Sequence, residues 1–176
     1  GMAARGAGDG ICANVEFPTP RRLVHRTMEA VPELAESALA WEGPALTAQL
    51  IETIDSHLDE PWMELLARYL DGAGGSSNRM AGAVKLAGLF TRYARRRPAM
   101  IRAWAAGENV APHGEPLVEG FEWQSQLWRR LRERIGVPAI PELLPAALDP
   151  VRDGTVSVDL PQRFAVYGLT STDPLD

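Results

Sequence analysis

The chain has 176 residues, 45% of them hydrophobic and 23% charged, with a formal net charge of −5; this is an ordinary soluble globular composition, with enough chain to bury the core of one domain. No run of about 18 apolar residues is present to span a bilayer, and the start lacks the charged-then-apolar pattern of a secretory signal. Cys12 is the one cysteine, so neither an internal disulfide nor a thiolate metal cluster can be built, and the expectation is a cytoplasmic protein without membrane contact or bound cofactor.

Gly1 ahead of Met2 reads as a cleavage scar, and residues 1–10, rich in Gly and Ala, as a disordered tail. Residues 11–176 then make a single, mainly α-helical, bundle-like domain with short strands at its two ends. The first strand is expected over 11–17, with Cys12 as a buried structural thiol, and Pro18 ends it. Pro20 suits the first turn of a helix whose apolar face is Val24, Thr27, Met28 and Val31, leaving Arg21, Arg22, His25 and Arg26 on the other side. Helices follow over 33–41 and 44–58, the second with Leu46, Leu50, Ile51, Ile54 and Leu58 on one face. Pro61 opens the next, with Trp62, Leu65, Leu66, Tyr69 and Leu70 expected inward, until the glycines of 71–75 break it.

Residues 72–107 hold seven basic side chains (Arg79, Lys85, Arg92, Arg95, Arg96, Arg97, Arg102) and no Asp or Glu, so this window is +7 and the remainder −12. Met80, Ala83, Val84, Ala87 and Phe90 recur at helical spacing and predict one inward stripe, flanked by Leu86, Leu89 and Tyr93. Arginines before Pro98 suit the carbonyl end of the helix dipole. Capping does not explain the missing acids, because a solvated helix face ordinarily mixes both signs. Two anionic partners fit: nucleic-acid phosphate, or an acidic surface of this chain or a neighbour. A sequence pI near 5.3 favours the second by itself, since freestanding DNA-binding domains are usually basic overall.

Pro98 starts a short helix with Met100, Ile101 and Trp104, and 105–120 is loop. Residues 121–135 predict an amphipathic helix, with Trp123, Leu127, Leu131 and Ile135 spaced by four, Trp128 widening the stripe, and Arg129, Arg130, Arg132 and Arg134 as a second basic face. A helical segment over 141–148 and a turn at Asp149-Pro150 come next. Residues 155–158 alternate like a strand, and 164–169 form an apolar run of buried-strand type.

Signals for chemistry are weak. Gly72 to Ser77 lacks the lysine that a phosphate-cradling P-loop requires, so it reads as loop punctuation. His25, His57 and His113 lie in three segments without ligand spacing, and no nucleophile elbow is present. The five tryptophans fall on inward stripes or near helix ends and read as core rather than base-stacking platforms.

Several collinear stretches resemble the gamma chain of exodeoxyribonuclease V, the RecC subunit of the RecBCD helicase-nuclease. They are residues 10–20, Leu89-Phe90 with Tyr93 and Arg97-Pro98, Trp104, Trp123-Gln124 with Leu127-Trp128, and Leu160-Pro161 through Arg163 to Gly168. The resemblance implies the helical 1B-type insertion of an inactive superfamily 1 helicase-like domain, with 11–17 and 163–169 as strand remnants of a RecA-like domain. Where a working Walker B strand ends in acids that hold Mg²⁺, Phe164 to Tyr167 runs into Gly168-Leu169.

The resemblance further implies a non-catalytic part of an ATP-dependent helicase and exonuclease that acts in double-strand break repair. Its partners would be RecB-like and RecD-like subunits and single-stranded or forked DNA, with a channel that scans for a Chi-type sequence. Positions matching the scanning surface are Thr19, His25, Leu89 and Arg97, joined by Arg92 and Arg96 as phosphate contacts. Thr19 stands where the family has an apolar residue and His25 where it has an aromatic one, so a channel wall is implied more firmly than a Chi reader. The alternative is a subunit-docking module whose arginines meet a partner's acids. An independent hydrolase is a remote third.

Overall fold

The structure, a computed structural model, describes residues 19–70 and 76–158. The expected tail over 1–10, the strands over 11–17 and 163–169, the break over 71–75 and the thiol of Cys12 lie outside the described residues. Within them the protein is mainly α-helical, as its periodicity predicts, and no sheet occurs among the described residues.

Helix α1 spans Pro20–Glu29, with the Thr19 hydroxyl accepting from the Arg22 N–H as its N-cap. Helices α2 (Pro32–Trp41) and α3 (Gly43–His57) follow, each with proline in its first turn. A single 3-10 turn, Pro61–Met63, leads into α4 (Glu64–Leu70). The long helix α5 is Ser76–Arg96, and α6 is Pro98–Ala105. The break between them has a local cause: the Arg97 N–H closes the last turn on the Tyr93 carbonyl at 2.8 Å, and Pro98 has no N–H with which to continue. Helix α7 (Trp123–Ile135) ends at Gly136, whose φ of 74° is the left-handed conformation that glycine adopts without a side-chain penalty. Helices α8 (Ile140–Ala147) and α9 (Asp149–Arg152) complete the described chain.

Helix α3 is central and packs on α2, α5 and α7, while α8 closes over α2, α5 and α6. The core is built on tryptophan. Trp41 and Trp128 stack with ring centroids 5.5 Å apart, Trp104 meets Trp128 edge-on at 6.4 Å, and Tyr93 meets Trp104 at 5.8 Å. Burying an indole requires a partner for its N–H. Trp41 Nε1 donates to the Val137 carbonyl and Trp104 Nε1 to the Val110 carbonyl, each at 2.8 Å, and so pin the α7–α8 connection and the 106–122 loop to the core.

Three expectations need correction. On α5 the buried set is Ala83, Leu86, Ala87 and Phe90, whereas Met80 and Val84 are more than half exposed. Gly82 explains the rotation: Leu70 of α4 packs so closely there that a Cβ would lie 2.5 Å from its Cδ2, which turns the small-residue side of α5 inward. On α4, Leu66 and Leu70 are buried but Leu65 and Tyr69 face out, because about two turns of helix touching α5 and a 3-10 turn bury one narrow stripe. Residues 155–158 form no strand; the N–H groups of Thr155 and Val156 both return to the Pro150 carbonyl and cap α9.

Candidate nucleic-acid interface

Two helices were expected to present basic faces, and the structure meets their arginines to different extents. On α7 three of the four arginines pair with carboxylates of the chain. Arg130 pairs with Glu133 at 3.0 Å, Arg134 with Glu52 of α3, and Arg132 with both oxygens of Glu142 on α8 at 2.7–2.9 Å. The Glu142 hydrogen bonds, outweighing partial burial, push the Arg132 guanidinium above its ordinary pKa. Burial, and then the neighbouring Arg130, lower that of Arg129, which donates to the Glu108 carbonyl and the Asn109 side chain.

On α5 and α6 the pattern is mixed, and Arg95 and Arg96 are among the residues that have partners. Arg79 pairs with Asp55 at 3.2 Å, Lys85 donates to the Tyr69 hydroxyl at 3.3 Å, and Arg102 donates to the Pro141 carbonyl at 3.3 Å. Arg97 lies over the Tyr93 ring, its guanidinium carbon 5.3 Å from the centroid, a cation–π contact that orients the group without cancelling its charge. Arg92 is exposed and has no hydrogen-bond, ion-pair or ring partner among the described residues. Arg96, four residues on and thus on the same helix face, is exposed as well.

The remaining expected site residues do not join this ridge through α1. Helix α1 packs on α2, while α5 packs on α3, α4, α6 and α8. Thr19 is occupied as the α1 cap, and His25 Nδ1 sits 3.3 Å from Glu29 one turn along the same helix. Leu89 is half-buried and packs against the core. No group of three or more His, Cys, Asp or Glu that could hold a metal occurs among the described residues, and no described helix is long and apolar enough to cross a membrane. Sequence reasoning missed which arginines are met: the acids for Arg134 and Arg132 come from other helices, α3 and α8.

Fold and site together define a mainly helical module with a cationic helix, α5, that has no carboxylate of its own. The chain belongs to the RecC N-terminal domain family, which it matches over residues 2–175. It is 32% identical over 173 residues to the RecBCD enzyme subunit RecC of Mycobacterium tuberculosis, in both the CDC 1551 / Oshkosh and the H37Rv strains, a match covering 94% of this chain and 15% of that protein. With the subunit of the same name from Mycolicibacterium smegmatis it is 35% identical over 170 residues, 92% of this chain and 14% of that protein. The chain thus spans about a seventh of the length of the curated relatives it matches. No solved structure matches it significantly.

Proposed function

We propose that this chain is a non-catalytic, DNA-facing part of a RecC subunit, working beside RecB-like and RecD-like subunits in double-strand break repair by homologous recombination. Membership of the RecC N-terminal domain family supports the setting. The observation that carries the DNA contact is Arg92: exposed, without a partner among the described residues, on a helix with no Asp or Glu. Arg96 and Arg97 extend the ridge toward α6, and a row of cations of this kind releases counterions from a phosphate backbone.

Such contacts position a strand and do not read it. Thr19 as a cap, His25 beside Glu29 and Leu89 in the core margin are poorly placed to read bases. The proposal is therefore a wall of a single-strand channel; scanning for a Chi-type sequence is its finer form and rests on the family resemblance alone. The superfamily 1 helicase-like architecture around the helical body belongs to the same proposal.

The test is binding of a labelled single-stranded oligonucleotide by the 176-residue chain and by its R92E/R96E/R97E variant at several salt concentrations. Weak, steeply salt-dependent binding that the variant loses is expected, and equal binding by both proteins would overturn the reading. A second reading, subunit docking without DNA contact, is favoured by Met80 and Val84, which lie exposed one turn apart on α5. It requires that the variant fail to co-purify with the partner subunits while the assembled complex still binds DNA.

A further inference from the structure

A hollow of about 210 Å³ lies between the 3-10 turn Pro61–Met63 with α4 on one side and the start of α7 on the other. It is smaller than the ~300–1,000 Å³ of small-molecule pockets, and it suits one side-chain head group. Its lining combines two half-buried indoles, Trp62 and Trp123, with two carboxylates, Glu64 and Glu122. Indole faces attract cations through the ring quadrupole, and carboxylates accept the paired donors of a guanidinium. A phosphate would be repelled at this place, so its ligand is of opposite sign to that of the α5 ridge.

Both carboxylates keep acceptor capacity. Glu122 Oε2 accepts from the Gly120 N–H at 2.8 Å, which leaves its other oxygen, and Glu64 pairs with Arg68 one turn along α4. That pair is exposed on both sides, and such i,i+4 pairs contribute little, so an incoming guanidinium can replace Arg68. Leu65 lines the hollow, Phe121 stands in the chain between its lining residues Gly120 and Glu122, and both are more than half exposed. Exposed leucine and phenylalanine beside a cation-accepting hollow match a partner surface in which an arginine is ringed by apolar residues, the usual make-up of an interface centre.

We propose that this hollow receives an arginine side chain of a partner protein, with Leu65 and Phe121 covered by apolar residues around it. The site is separate from the α5 ridge, and its occupancy does not depend on DNA binding there. The experiment titrates the 176-residue chain with acetyl-arginine amide and follows the tryptophan indole N–H resonances by NMR. The citrulline analogue, equal in shape and uncharged, is the control. Saturable shifts at Trp62 and Trp123, with Trp41, Trp104 and Trp128 unmoved, are expected.

Citrulline, or an E64Q/E122Q variant that keeps an acceptor for Gly120, should weaken binding about tenfold, the loss that corresponds to ~1.4 kcal/mol for a cation–π and ion-pair contact. The three core tryptophan resonances report that the variant is folded. The proposal is overturned if neither indole responds, if citrulline binds as well as arginine, or if the variant binds unchanged.

Discussion

Arg132 of α7 and Glu142 of α8 grip each other through two guanidinium nitrogens and both carboxylate oxygens, and Glu142 Oε1 also accepts from the Ala139 N–H at 2.8 Å. One carboxylate thereby starts α8 and ties it to α7. Glu142 is only 14% exposed, so removing its partner strands a mostly desolvated charge. Arg132→Ala should cost about 1–3 kcal/mol, read as a lower urea midpoint at unchanged slope. Arg130→Ala, which breaks an exposed pair with Glu133, should cost less than about 0.5 kcal/mol. Arg92→Ala should leave stability unaltered, since Arg92 has no partner among the described residues to lose.

The two interior glycines of α5 should respond with opposite signs. Gly88 faces open space, with nothing within 4 Å of the place an alanine methyl would occupy; Gly88→Ala should stabilise by up to about 1 kcal/mol through helix propensity. At Gly82 the same change puts a Cβ 2.5 Å from Cδ2 of Leu70, which is fully buried, so one of the two must shift. Overpacking of this kind costs about 1–3 kcal/mol, more than the propensity gain, so Gly82→Ala should lower the melting temperature where Gly88→Ala raises it. A stabilised Gly82→Ala would show that α4 can move away from α5.

The helices were legible because their apolar spacing and their prolines agree. In α7, Leu127, Trp128 and Leu131 are buried as their spacing demands, and the prolines at 32, 44 and 98 stand in first turns. What the spacing could not give is helix rotation where small residues compete with large ones. Met80 and Val84 look like core by hydrophobicity, yet the close approach of Leu70 to Gly82 turns them outward. The ridge was half legible. A run of arginines is visible in any sequence, whereas the acids that neutralise α7 come from Glu52 and Glu142, 82 and 10 residues away from their partners. Within α7 only Arg130 pairs with an acid of its own helix, Glu133; for Arg132 and Arg134 the local sequence does not show that they are met while Arg92 is not.

That contrast yields a prediction specific to the proposed DNA contact. A cation that touches phosphate contributes about 0.7 to the slope of log affinity against log salt on single-stranded DNA. Arg92→Gln should therefore reduce that slope by about 0.7 and weaken binding more at low salt than at high. Arg130→Gln changes the net charge of the chain equally but removes a guanidinium already held by Glu133, so its slope should match that of the unaltered chain. Equal effects of the two substitutions would mean that overall charge alone governs binding and that the α5 ridge has no special place in it. A reduced slope with Arg92→Gln alone would assign the contact to α5, a helix whose own sequence holds no Asp or Glu.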